Sequence, residues 1–159
     1  MADFDAAIPV VLQHEDPGLT GEVEVDTGGM TRWGISARSY PYLDIRNLSL
    51  DDAKAIYRRD FWTPIQGDAI ADQHCATKLL DMAVNMGIGT AIKLAQKAVG
   101  VAEDGTVGPV TLAALNAADP QVVLADLRHL SAERYEAIIA SDPAVYGQYR
   151  ENWLARAAD

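Results

Sequence analysis

The sequence predicts a mainly α protein with one small lobe, either a loop or a β-hairpin. Three observations carry that prediction. Apolar residues recur at helical spacing through most of the chain, and Ser, Asp and Pro stand where helices would start. A single Gly-rich stretch, residues 16–34, breaks the pattern.

The elements follow in order. Phe4, Ile8, Val11 and Leu12 share one face of a helix over residues 4–15, with Asp5 as its cap and Pro9 at the edge of the first turn or at a kink. Asp16-Pro17-Gly18 ends it. Beyond that turn, Glu22-Val23-Glu24-Val25-Asp26 alternates among glycines 18, 21, 28, 29 and 34 and reads as a hairpin or an ordered loop. A loop this long inside a compact domain is usually functional. Ser36 is placed to cap a short helix ending before Pro41. Ser49 and Asp52 resemble a capping box that opens a helix through Asp60, with Leu50, Ala53, Ile56 and Tyr57 inward.

Residues 72–86, with Leu79, Leu80, Ala83, Val84 and Met86, form the expected central buried helix, and Gly87-Ile88-Gly89 closes it. Thr90 opens the next. Pro109 suits the first position of a helix through Ala117. Asp119-Pro120 and Asp142-Pro143 repeat the cap-then-proline signature, for a long helix to about Ala140 and a final one carrying Tyr146, Tyr149, Trp153 and Leu154.

Bulk properties exclude several classes. At 159 residues, 49% apolar and 23% charged, the chain is expected to be one compact unit and a monomer. No apolar run approaches the ~20 residues of a membrane helix. A net charge of -10 argues against a nucleic acid partner, which needs a basic face. Met1-Ala2-Asp3-Phe4-Asp5 has no basic n-region, so synthesis in the cytoplasm and a separate route of release are expected. Cys75 is the only cysteine, which excludes an internal disulfide and suggests a buried structural thiol. His14, His74 and His129 lack metal-ligand spacing, so no metal or other cofactor is expected.

The chemistry centres on Glu15. A glutamate at a helix end, shielded in part by apolar neighbours, suits a proton donor, and the polar excursion after it carries further carboxylates, Glu22, Glu24 and Asp26. Asp26, close to Gly28-Gly29, equally serves a turn. Thr31, late in the Gly-rich stretch, can serve as a strand or cap hydroxyl. Trp33, Tyr57 and Trp62 offer aromatic faces for stacking a ligand, or pack in the core.

Three stretches together resemble the glycoside hydrolase family 108 N-acetylmuramidases, lysozyme-like enzymes that include phage endolysins. The first is His14-Glu15 with Asp26-x-Gly28-Gly29-x-Thr31-x-x-Gly34-Ile35. The second is Tyr57-Arg58-Arg59-Asp60-Phe61-Trp62 with Asp81-Met82-Ala83-Val84-Asn85-Met86-Gly87. The third, Asp104-Gly105-Thr106-Val107-Gly108-Pro109-Val110-Thr111, looks like the family's C-terminal peptidoglycan-binding part. Where the family keeps Gly-Gly-Tyr after the glutamate, this chain has Asp16-Pro17-Gly18.

The resemblance implies a lysozyme-like helical fold, with a catalytic region over residues 1–100 and a peptidoglycan-binding-like region over 101–159 packed on it. It implies cleavage of the β-1,4 bond between N-acetylmuramic acid and N-acetylglucosamine, with Glu15 as general acid, Asp26 and Thr31 assisting, and Asn85 bonding the sugar. As a phage or prophage endolysin, the protein would reach peptidoglycan in the periplasm or cell wall through a holin. A non-catalytic peptidoglycan-binding or secretion-accessory module is the alternative.

Overall fold

The computed structural model describes residues 1–26 and 29–159, so Gly28 of the Asp-x-Gly-Gly motif lies outside the described residues. Helix α1 (Phe4–Glu15) buries Phe4, Ile8, Val11 and Leu12 as the periodicity requires. Its cap is Asp3 and not Asp5: the Asp3 carboxylate accepts from the Asp5 amide at 2.9 Å. Pro9 stands inside the helix.

The Gly-rich stretch is a three-stranded antiparallel sheet in the order β1 (Glu24–Asp26), β2 (Gly29–Arg32) and β3 (Ile35–Ser36). Trp33 and Gly34 join β2 to β3 with positive φ at both positions, 54° and 76°, the two-residue turn whose twist suits a hairpin. Ser36 does not cap a helix. Pairing of Thr31 with Ser36 and Arg32 with Ile35 commits this backbone to the sheet, and only a turn follows.

Ahead of the sheet, Asp16 organises the loop. Its carboxylate accepts from the Thr20 hydroxyl at 2.9 Å and the Gly21 amide at 2.8 Å. The Asp-Pro-Gly departure thus builds an ordered turn held by side-chain hydrogen bonds.

Ser49 caps α2 (Leu50–Tyr57), with its Oγ accepting from the Asp52 amide at 3.1 Å. The chain then widens into a π-helical turn over Arg58–Trp62 instead of continuing as α-helix, and the Thr63 amide reaches back to Arg58 O at 2.9 Å. That extra residue in the turn accompanies Trp62 into the core. There its indole donates to Asp68 at 2.8 Å, and Gly67 lies so close that a Cβ would come within 2.3 Å of the ring.

Helix α3 (Gln73–Met86), capped by Asp72, is the central element: α1, α4 (Ile88–Ala98) and α6 (Pro120–Ser141) all pack on it. Helix α5 (Pro109–Ala117) has its proline at the first turn as expected. Asp142-Pro143 starts only a single turn, α7 (Pro143–Tyr146), before α8 (Arg150–Ala158) folds back along α6. Cys75 is buried, which pushes its thiol up to about 12. Among the described residues, no helix is long and apolar enough to cross a membrane. The protein is mainly α with a small sheet, a lysozyme-like architecture.

Candidate active site

Glu15 ends α1 beside the turn between β2 and β3. The approach is close: a Cβ on Gly34 would sit 2.7 Å from Glu15 Cβ and 2.3 Å from the Tyr57 hydroxyl. Only glycine fits there, both for space and for its positive φ. Tyr57 donates to Trp33 O at 3.0 Å, and burial first, then the charge of Glu15, drives its phenol well above the usual range. A neutral hydroxyl therefore ties the turn to α2, alongside the glutamate.

The other side of Glu15 is closed by the C-terminal helix. Arg156 Nη2 lies 2.7 Å from Glu15 Oε1, with 12% of the arginine side chain and 22% of the glutamate side chain exposed. The guanidinium is itself held by Asp81 of α3, through Nη2 at 2.8 Å and Nε at 3.0 Å to Oδ1. Burial would weaken the charge on Arg156, but the bonds to Asp81 and the carboxylates around it more than compensate and hold it firmly protonated. Burial alone would raise Asp81; the hydrogen bonds and charges of His14 and Arg156 outweigh it and hold the carboxyl below its ordinary value.

His14 completes the cluster. Its Nδ1 lies 3.0 Å from Asp81 Oδ1 and its Nε2 lies 2.7 Å from Asp159 Oδ2. The bond to Asp81 raises the imidazole above 6.5, burial opposes it, and the bond to Asp159 raises it further. Lys78, one turn before Asp81, donates to Arg156 O at 2.8 Å near the end of α8, where carbonyls of a helix favour a cation.

The sign of the pH dependence follows. A histidine raised in the folded state contributes stability that is complete below its unfolded value of about 6.5 and is lost as pH rises through the folded value. Thermal melts are expected to show the wild type losing stability on its alkaline side across that window, with His14→Gln flattening this arm. An unchanged slope in the variant would refute the assignment.

The other expected site residues are placed as follows. Thr31 lies in β2, paired with Glu24 on one side and Ser36 on the other. Directly opposed residues share a face, and Ile35 on the alternate face is buried in the core. The Glu24, Thr31 and Ser36 row therefore faces away from the core. Asp26 is on that same face but at the far end of β1, opposite Gly29 at the hairpin tip. Asn85, one turn beyond Asp81, donates to the Tyr135 hydroxyl of α6.

Trp33 is half-buried, its indole packed on Gly21 and donating to Leu48 O at 3.1 Å, so it anchors the loop. Tyr57 and Trp62 are 1% and 0% exposed, and their rings pack against Phe61 and Phe4 respectively. Neither offers a face to a sugar. Open aromatic surface lies elsewhere: Tyr149, 44% exposed, stacks on Trp153 at 5.4 Å, one turn of α8 before Arg156.

Sequence reasoning missed Arg156 and Asp81. Besides its place in the second motif, Asp81 had a signal: Lys78, Asp81 and Asn85 fall at helical spacing among the apolar residues of α3, a polar stripe that requires partners. No local signal marks Arg156. Among the described residues, no group of three or more His, Cys, Asp or Glu could hold a metal ion.

The fold is lysozyme-like, and comparison with known proteins identifies the class as a glycoside hydrolase. Residues 8–87 match the family described as Glycosyl hydrolase 108, and residues 90–158 match a Predicted Peptidoglycan domain. The chain belongs to the glycosyl hydrolase 108 family and is a peptidoglycan hydrolase. Among solved structures it is similar to SagA of Brucella abortus, with 25% identity and a TM-score of 0.71 over 98% of this chain and 96% of that one. No curated protein matches it.

Proposed function

We propose that the protein is an N-acetylmuramidase that cleaves the β-1,4 bond between N-acetylmuramic acid and N-acetylglucosamine, with Glu15 as general acid. The observation that supports this best is the position of Glu15. It falls inside the stretch matching the hydrolase family, at the end of α1, partly exposed between the Gly34 turn and α8. In this reading the Glu15 carboxyl gives its proton to the glycosidic oxygen as the C1–O bond breaks. Water then adds to C1 of the muramic acid ring and its proton passes to a second carboxylate.

Asp26 and Thr31 are proposed as the polar groups opposite, with Glu24 as the competing carboxylate because it, rather than Asp26, is paired with Thr31. Asn85 is proposed to bond the sugar. A phage or prophage endolysin released through a holin is the biological setting this reading suggests.

The test is mass spectrometry of the fragments released from purified peptidoglycan. Reducing N-acetylmuramic acid ends are the expected product. Anhydromuramyl ends would indicate a lytic transglycosylase and reducing N-acetylglucosamine ends a glucosaminidase, either of which overturns the bond assignment. Binding without any release of fragments would favour a non-catalytic wall-binding or secretion-accessory module.

A further inference from the structure

Arg156 belongs to the part of the chain that matches a peptidoglycan domain, yet its guanidinium lies on the glutamate of the hydrolase part. Every contact around it suits precise placement. Asp81 engages both Nε and Nη2, which fixes the plane of the guanidinium. The buried Lys78 fixes the backbone of the same residue through its carbonyl. His14, adjacent to Glu15 in the chain, braces Asp81 from the α1 side. The fixed cation meets Glu15 through one oxygen, Oε1.

We propose that Arg156 is a positioning residue for Glu15, so that α8 of the peptidoglycan segment completes the hydrolytic centre of the first segment. This rests on the reading of Glu15 as general acid. With Oε1 accepting from Arg156, rotation of the carboxyl is restrained, and a proton on Oε2 is directed to the glycosidic oxygen. A carboxyl that carries the proton on Oε2 keeps a carbonyl oxygen toward Arg156, though without the charge-assisted part of the contact. The two family segments are then one catalytic unit, and the second does more than tether the first to the wall.

The experiment is a double-mutant cycle on the full chain, with initial rates on purified peptidoglycan sacculi for wild type, Glu15→Gln, Arg156→Gln and the double variant. Arg156→Gln is expected to lower kcat about 10²-fold, the cost of a misplaced catalytic group, with little change in the half-saturating peptidoglycan concentration. Arg156→Lys, which keeps the charge on Asp81 and so protects the fold, is expected to recover part of that loss. Adding Arg156→Gln to Glu15→Gln is expected to change the residual rate no further, since a residue acting through Glu15 has nothing left to position.

Losses that multiply in the double variant, or a loss confined to half-saturation, would overturn positioning while leaving Glu15 as the acid. A Glu15→Gln variant with wild-type rate would overturn both.

Discussion

Glu15→Gln is expected to lower the rate of peptidoglycan hydrolysis by about 10²–10⁴-fold, the range general acid catalysis contributes. Glutamine is the informative replacement because its amide oxygen still accepts from Arg156 in place of Oε1, while its amide N–H is not an acid. The Gly34 turn and the Asp81 cluster should be undisturbed, since both contact the side-chain stem or Arg156 rather than the lost proton. Turbidity loss of sacculi measures the rate, and circular dichroism melts confirm that the fold is unchanged. Retention of more than about a tenth of wild-type rate with an unchanged melt would reject Glu15 as the acid. Asp26→Asn and Glu24→Gln, assayed alongside, identify the second carboxylate by which of them causes the larger loss.

Asp81→Ala is expected to destabilise the protein by about 3–5 kcal/mol, because it strands a buried guanidinium and an imidazolium without their shared partner. For a domain of this size that corresponds to roughly 6–20 °C in Tm. The loss should be large because Asp81 bonds Arg156 through two nitrogens and His14 through a third. Asp81→Asn, which keeps one acceptor oxygen, is expected to lose less. Chemical denaturation of both variants provides the measurement. A change below about 1 kcal/mol for Asp81→Ala would mean that solvent already satisfies the cluster.

Both predictions show where local reasoning reached and where it stopped. Glu15 stood out as a candidate because its surroundings are legible: an apolar helix face ends at it, Asp16-Pro17-Gly18 turns the chain, and a Gly-rich alternation follows. The Ser36 helix was misread because a serine before a polar run is equally compatible with a cap and a strand end. Partner strands decide between them, and β2 claimed the backbone of Ser36. The aromatic residues stayed open between two roles for a similar reason. Tyr57 and Trp62 carry the same local signature whether they face a glycan or the core. Only the π-helical turn and the close approach of Gly67 commit Trp62 to the interior.

By itself, the sequence determined most of the helices, the position of the loop, Glu15 as the candidate acid and the resemblance to a hydrolase family, since caps, turns and motifs act over a few residues. The tertiary structure alone decided what surrounds Glu15. Arg156 and Asp81 are 75 residues apart and meet only because α8 folds back beside α3. Bringing two buried charges together depends on packing that closes the site from both ends of the chain, and no spacing along a single element encodes that.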